Sequence, residues 1–428
     1  MAPASSASLP ASQLAMPSWT LTSPDTGSVA VPWLAIVALS LAALASGASL
    51  RVTDAMLPRL ATEFSITLGE ASQVVTVFAI AYGFAQLLFG PLGDRFGKYR
   101  VIAAACAGSA LTSVLCGLAP GHASLLAARL LAGVTAAAVI PLAMAWIGDV
   151  VPYEHRQPVL ARFLIGQISG FALGSWAGGF AADHLDWRTP FFVLGGFFLL
   201  MALVLGHVQR RLPASALRRA PGDSKRPSTI SEFRAVLASR WGRIVLLAVF
   251  LEGGSLYGVL PFVATHLHER FGLSLSSSGA MVMVFAGGGF VFALGAKKLV
   301  QHMREPVLIR SGAILMTSTL LLTAFAPAWW WALPACLVMG FGYYMMHNTL
   351  QVQATQMAPE RRGAAVAAFA GSFFLGQSVG VGVAGLLVES AGTAWVLAVG
   401  GLAVAFCAWN FNRQRRRLLA AAPAGMPE

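Results

Sequence analysis

Apolar residues fall in runs of about 20, the length that crosses a bilayer as a helix. The runs cover residues 33–57, 73–91, 100–119, 123–148, 158–182 and 190–208. They resume at 243–265, 277–296, 306–326, 330–354, 364–388 and 393–412. None shows the ten-residue alternation of an outer-membrane barrel strand. The pattern predicts an all-α membrane protein of 12 transmembrane helices in two six-helix bundles. Residues 32–208 form the first bundle and 243–412 the second. Between them, 209–242 is a polar, basic linker carrying Arg210, Arg211, Arg218, Arg219, Lys225 and Arg226. Residues 1–31 are rich in Ala, Ser and Pro and contain no Lys or Arg. They read as a flexible tail, since a signal peptide begins with a basic region. Residues 413–428 read as a second, basic tail.

Composition narrows the class. Hydrophobic residues make up 57% of the 428 and charged residues 11%, where a soluble domain carries roughly 25% charged. Mean hydropathy is +0.71. An ordinary cytosolic enzyme, a disordered scaffold and a disulfide-stapled secreted module are excluded. The net charge of +12 does not point to nucleic acid, because it follows the loops. With the N-terminal tail inside, inner loops, adjoining span ends and the C-terminal tail hold 24 of the 29 Lys and Arg. The outer loops hold Arg59, Arg188 and Arg270, and Arg51 and Arg129 lie within spans. Basic residues accumulate on the cytoplasmic side, so both termini are expected there. Cys106, Cys116, Cys336 and Cys407 lie in apolar runs without CxxC spacing and read as small buried hydrophobes.

The halves repeat. Pro152-Tyr-Glu-His-Arg156 precedes the fifth run and Pro359-Glu-Arg-Arg362 the eleventh. Each leads into a Gly-rich helix with one Gln, Gln167 or Gln377. The most specific stretch is Gly90-Pro-Leu-Gly-Asp-Arg-Phe-Gly-Lys-Tyr-Arg100, after the second run. Gly90, Gly93 and Gly97 permit a tight turn with close backbone approach. Asp94 can pair with a base or a helix N-terminus, and Arg95, Lys98 and Arg100 suit the headgroup layer.

Residues 90–100 resemble the signature G-x-L-x-D-R-x-G-R/K-x-R/K of the major facilitator superfamily, and the resemblance spans residues 32 to 412. It implies two six-helix bundles around a central cavity that opens alternately to each side. It also implies that Asp94 and Arg95 lock the outward-facing state without touching substrate. The matching loop of the second half, Gly295-Ala-Lys-Lys-Leu-Val-Gln-His-Met303, lacks the acid. Arg129-Leu-Leu-Ala-Gly133 resembles the R-x-x-x-G motif of proton-coupled drug antiporters. The alternative for Arg129 is snorkelling to the outer interface. Gly170-Phe-Ala-Leu-Gly174-Ser-Trp-Ala-Gly178-Gly179 resembles the antiporter motif G-x-x-x-G-P-x-x-G-G, with Ser175 in place of proline. Close helix packing explains the same glycines. Asp186-Trp-Arg188 resembles a family boundary feature and reads as an interface anchor.

Ionisable residues inside a membrane are candidate functional groups. Of 17 acids, only Asp54 and Glu252 fall inside runs. Glu252, in Leu251-Glu-Gly-Gly-Ser-Leu-Tyr257, is either a proton or substrate site or a permanently neutral, hydrogen-bonded acid. Asp54 follows Arg51 by three residues, so the two share a helix face. They form a structural ion pair at the rim or a proton site. His347 is the one histidine placed deep in a run, within Tyr343-Tyr-Met-Met-His-Asn-Thr349, and can titrate near neutral pH. Tyr257, Tyr344, Asn348, Gln351, Gln167 and Gln377 are candidate cavity-lining residues for an amphiphilic ligand. Met283, Met345 and Met346 can add adaptable apolar surface.

No Walker A motif, metal-ligand cluster or G-x-S-x-G elbow is present, so neither cofactor nor catalysis is expected. The expected partners are a small-molecule substrate, protons and the lipid bilayer. Nucleic acid is not expected, and the fold is compatible with a monomer. The leading expectation is a secondary active transporter, in its main form a proton-coupled exporter of a drug, sugar or metabolite such as a siderophore. Uptake by proton symport is the alternative within that class. A non-transporting sensor or assembly protein is the alternative outside it. Arg outnumbers Lys 25 to four, usage that points to a GC-rich bacterial genome and hence the cytoplasmic (inner) membrane.

Overall fold

A computed structural model describes residues 32–217 and 229–421 of the chain. The expected tail 1–31 and the basic residues Arg218, Arg219, Lys225 and Arg226 lie outside the described residues. Twelve long helices are present among those described. The first half holds α1 (Trp33–Phe64), α2 (Leu68–Phe96), α3 (Lys98–Gly117), α4 (His122–Val150), α5 (Tyr153–His184) and α6 (Thr189–Gln209). The second holds α7 (Arg240–Phe271), α8 (Leu275–His302), α9 (Glu305–Phe325), α10 (Ala332–Gln356), α11 (Arg362–Ala391) and α12 (Thr393–Ala421).

Eleven of these are long and apolar enough to cross a membrane. The exception is α10, which has the length at 25 residues. Its apolarity is interrupted by Tyr343, Tyr344, His347 and Asn348. Several helices outrun their apolar stretch, because polar turns extend past the hydrocarbon. α12 continues to Ala421, through the basic segment read as a tail. Within the linker, a short helix spans Thr229–Ala238. Trp146 on α4 donates its indole N–H to the Ala216 carbonyl at 2.9 Å, tying the start of the linker to the first half.

The repeat visible in the sequence is repeated in packing. α1 packs on α5 as α7 packs on α11, α2 on α4 as α8 on α10, and α3 on α6 as α9 on α12. The halves meet through a matching pair of seams, α2 with α11 and α5 with α8. Glycine makes the α1–α5 contact possible. A methyl at Gly166, Gly170, Gly174 or Gly178 would overlap the carbonyl oxygen of Ser40, Leu44, Ala48 or Val52, respectively. The four-residue step on both helices is ridge-into-groove packing at backbone range. The Gly-rich stretch of α5 therefore faces α1. α11 uses the same device on α7, where a methyl at Gly376 would overlap Phe250 O.

The first helix of each half is distorted. α1 tightens into a 3-10 turn at Asp54–Met56 before Leu57–Phe64, and α7 widens into a π turn at Gly253–Tyr257 before Pro261–Phe271. Pro58 and Pro261 each sit in the first turn of the segment that follows, where a missing N–H costs nothing.

Candidate functional site

The two distortions place the buried charges. Asp54 lies in the 3-10 turn of α1 and Arg51 one turn before it. Their side chains pair at 3.0 Å, each only 3% exposed. The expected location at the rim is corrected: α1 continues to Phe64, so the pair is enclosed. Arg51 Nη2 and Asp54 Oδ1 have no hydrogen-bond partner among the described residues.

Arg129 on α4 is buried against the same turn and does not snorkel. It donates to Ser49 O at 3.0 Å, Val74 O at 3.3 Å and Thr53 Oγ1 at 3.4 Å. Its guanidinium lies 4.1 Å from the Phe78 ring centroid. One side chain thus ties α1, α2 and α4 together. Buried guanidinium groups survive in apolar surroundings when their donors are satisfied in this way.

In the second half, Glu252 closes the regular part of α7 just before the π turn. Its Oε2 lies 2.9 Å from Nδ1 of His347 on α10. Glu252 is fully buried, whereas the His347 side chain keeps 17% of its surface. Of the pair, the imidazole alone keeps accessible surface. The Tyr343 ring stacks on His347 at 4.9 Å, and Phe373 and Phe369 lie within 5.1 and 5.4 Å. His266 is buried too, at the far turn of α7. Its ring nitrogens reach Thr393 Oγ1 at 3.0 Å and Thr323 O at 3.1 Å, so it is a satisfied packing residue.

Tyr257 joins the two charged groups across the halves. The Arg51 guanidinium sits 4.0 Å from its ring centroid, within cation–π range. The rings of Tyr257 and Tyr343 are 5.0 Å apart and tilted against each other. A continuous line of contacts runs from Asp54 through Arg51, Tyr257, Tyr343 and His347 to Glu252. Tyr343 was not singled out from sequence, although its i, i+4 relation to His347 was available. A second signal was a Leu-Pro pair at 57–58 and 260–261. Aligning the two sets Asp54 opposite Tyr257.

The expected cavity residues divide. Tyr344, Asn348, Gln351 and Gln167 are half-buried. Tyr344, Asn348 and Gln351 share one face of α10 by spacing. Tyr257 and Gln377 are instead shut inside the packing, at 2% and 1% exposure. Met345 and Met346 are buried and Met283 is half-buried.

Residues 90–96, expected in the turn, are the last turns of α2, and Gly97 alone separates that helix from α3. Gly97 has φ +94°, a conformation glycine adopts without strain. Gly93 leaves room for Leu142 of α4. Lys98 lies 2.5 Å from Asp149 and 3.7 Å from Asp94, linking α2, α3 and α4. Arg95 and Arg100 are exposed. A methyl at Gly90 would meet nothing within 4 Å. The far end of the same helix is engaged. Its first turn is held by Glu389 of α11, whose Oε1 accepts from Gly69 N at 2.6 Å. Asp183 of α5 likewise accepts from Leu275 N at 3.2 Å and Ser276 N at 2.6 Å at the start of α8. Sequence reading passed over both acids as helix-end residues.

Relatives share this architecture. An MFS-type transporter of Bacillus subtilis, YceJ, is 26% identical over 336 residues, covering 78% of this chain and 84% of its own. Multidrug resistance protein 1 of the same organism is 24% identical over 310 residues, 72% of this chain and 77% of its own. A bacterial homologue of the human lysosomal transporter Spinster, solved inward-facing and unoccupied, superposes with a TM-score of 0.75 at 17% identity. The match covers 93% of this chain and all of that one. The family model of the Major Facilitator Superfamily matches residues 39–370, and with twelve helices repeated as six plus six the chain is a membrane transporter belonging to that superfamily.

Proposed function

We propose that the chain exports small organic molecules from a bacterial cytoplasm in exchange for protons. Both termini then face the cytoplasm, and 1–31, 32–208, 209–242, 243–412 and 413–428 serve as tail, bundle, linker, bundle and tail. The observation that carries the reading is the line from Glu252 and His347 through two tyrosines to Arg51 and Asp54. A carboxyl paired with a half-open imidazole in an apolar wall can take up and release a proton. The line crosses between the halves, so a change of charge at either end acts on the contact between them. The multidrug relative supports the export direction by its name. The half-buried amides and tyrosine of α10 suit an amphiphilic substrate. The resemblance of residues 90–100 to the family signature supports a latch role for Asp94 and Arg95.

The test uses energised inverted vesicles and a chemically broad library, scored for ligand-induced collapse of the pH gradient. Wild type is run beside Glu252→Gln and Asp54→Asn at matched expression. Collapse with some compounds, lost in Glu252→Gln, is expected. Collapse undiminished in both variants would remove these carboxyls from the coupling. Uptake driven by the gradient in right-side-out vesicles would reverse the direction.

A further inference from the structure

On the perimeter of the second half, α9 and α12 line an open cleft of about 670 Å³ near the basic end of the molecule. Its floor is apolar, built by Ala313, Ile314, Ala405 and Ala408. Arg310, Arg413, Arg416 and Arg417 surround it, with Trp409 beside them. Ile314 and Trp409 are 58% and 54% exposed, so this wall faces the hydrocarbon and not the neighbouring helices. Trp at this depth marks the headgroup boundary.

Four guanidinium groups around one cavity repel each other unless an anion joins them. No carboxylate among the described residues pairs with any of the four. The nearby acid is already engaged: Glu305 pairs with Arg415 at 3.6 Å and accepts from Gln353 at 2.8 Å. Arg413 stands 5.0 Å over the Trp409 ring, a position that leaves its N–H edge open. A general excess of basic residues at this end explains their number. It does not explain four unpaired ones around a single apolar-floored cavity.

We propose that this cavity binds an anionic phospholipid of the cytoplasmic leaflet. The phosphate is held by Arg310, Arg413 and Arg417, since planar guanidinium groups bind phosphate oxygens in pairs. An acyl chain lies along Ile314 and the alanines. The assignment rests on the orientation with the basic end in the cytoplasm and is independent of proton coupling.

Native mass spectrometry of the purified full-length transporter tests it, with phosphatidylglycerol, phosphatidylcholine and inorganic phosphate as probes. Phosphatidylglycerol should stay bound where phosphatidylcholine does not. The triple change Arg310→Gln, Arg413→Gln, Arg417→Gln should lower its retention by about tenfold or more. Arg240→Gln with Arg243→Gln serves as the charge control. Those residues line a smaller cavity of about 220 Å³ on another face of α12, and retention should hold there. If the triple variant does not purify as a single species, Arg413→Gln alone should still weaken retention. Equal retention of the two lipids overturns the proposal. So does undiminished binding in the folded variants, or equal protection by inorganic phosphate.

Discussion

Replacing Asp183 and Glu389 together by alanine should open the end of the transporter away from its termini. Each carboxylate ends a helix of one half and caps the first turn of a helix in the other: Asp183 on α8, Glu389 on α2. Helix N-termini leave N–H groups unpaired and carry partial positive charge. Loss of such a cap costs about 1 kcal/mol. Both carboxylates are exposed, so screening keeps the charge contribution small. The contacts exist only while the halves touch at this end, so the whole loss falls on the closed state. They sit on separate seams and should add. Two losses of about 1 kcal/mol each shift the closed-to-open ratio by about 30-fold. Asp183→Asn with Glu389→Gln keeps an acceptor at each site and should shift it less, since charge-assisted bonds are roughly twice as strong as neutral ones.

The assay is electron–electron distance measurement between spin labels at Thr62→Cys and Ser390→Cys, one on each half. All four native cysteines are buried, so the introduced pair carries the labels. Wild type should show one short population, and the double alanine variant a second, longer one. The single variants should fall between. An unchanged distribution in the double variant would refute the reasoning and leave the glycine contacts of the seams as sufficient closure.

Asp94→Asn should slow the conformational cycle, read as turnover, while substrate affinity stays unchanged; a large loss of binding would contradict the latch. Gly170→Ala drives a methyl into the Leu44 carbonyl and should cost about 1–3 kcal/mol, seen as a lower thermal midpoint of the purified protein. Gly90→Ala meets nothing within 4 Å and should leave the midpoint unchanged; equal effects would discount the packing argument. A cysteine replacing the exposed Arg211 should react with an impermeant maleimide only from the cytoplasmic side, and reaction from outside would invert the topology.

What the sequence disclosed follows the range of each signal. Apolar run length is local, so all twelve helices were readable. α10 carries Tyr343, Tyr344, His347 and Asn348, which lower its apolarity without shortening it. Three-residue spacing is also local, so the Arg51–Asp54 pair could be foreseen. Its enclosure could not, because Pro58 reads equally as a stop or as the first turn of a continuing segment. Glu252 and His347 were visible singly, but 95 positions separate them. Only the packing of α7 with α10 brings them together. Asp183 and Glu389 look like ordinary helix-end acids until the opposite half supplies an N-terminus for each.

The repeat gives the site its asymmetry. Related turns in α1 and α7 carry an acid in one half, Asp54, and an aromatic in the other, Tyr257. Arg51 bridges them, paired with Asp54 at 3.0 Å and lying 4.0 Å from the Tyr257 ring. If Asp54 is neutralised, a buried guanidinium loses its counter-charge and retains only the Tyr257 and Phe171 rings. That arrangement is costly in a dry interior, so Arg51 must move, and the contact it leaves is one between the halves. Neutralising the pair at Glu252 acts on the Tyr257 ring from the other side, through His347 and Tyr343. On the proposed function, two acids on different bundles therefore bias one shared contact. That is a physical basis for coupling proton load to alternating access, since a ligand shifts a conformational equilibrium only through its different energy in the two states.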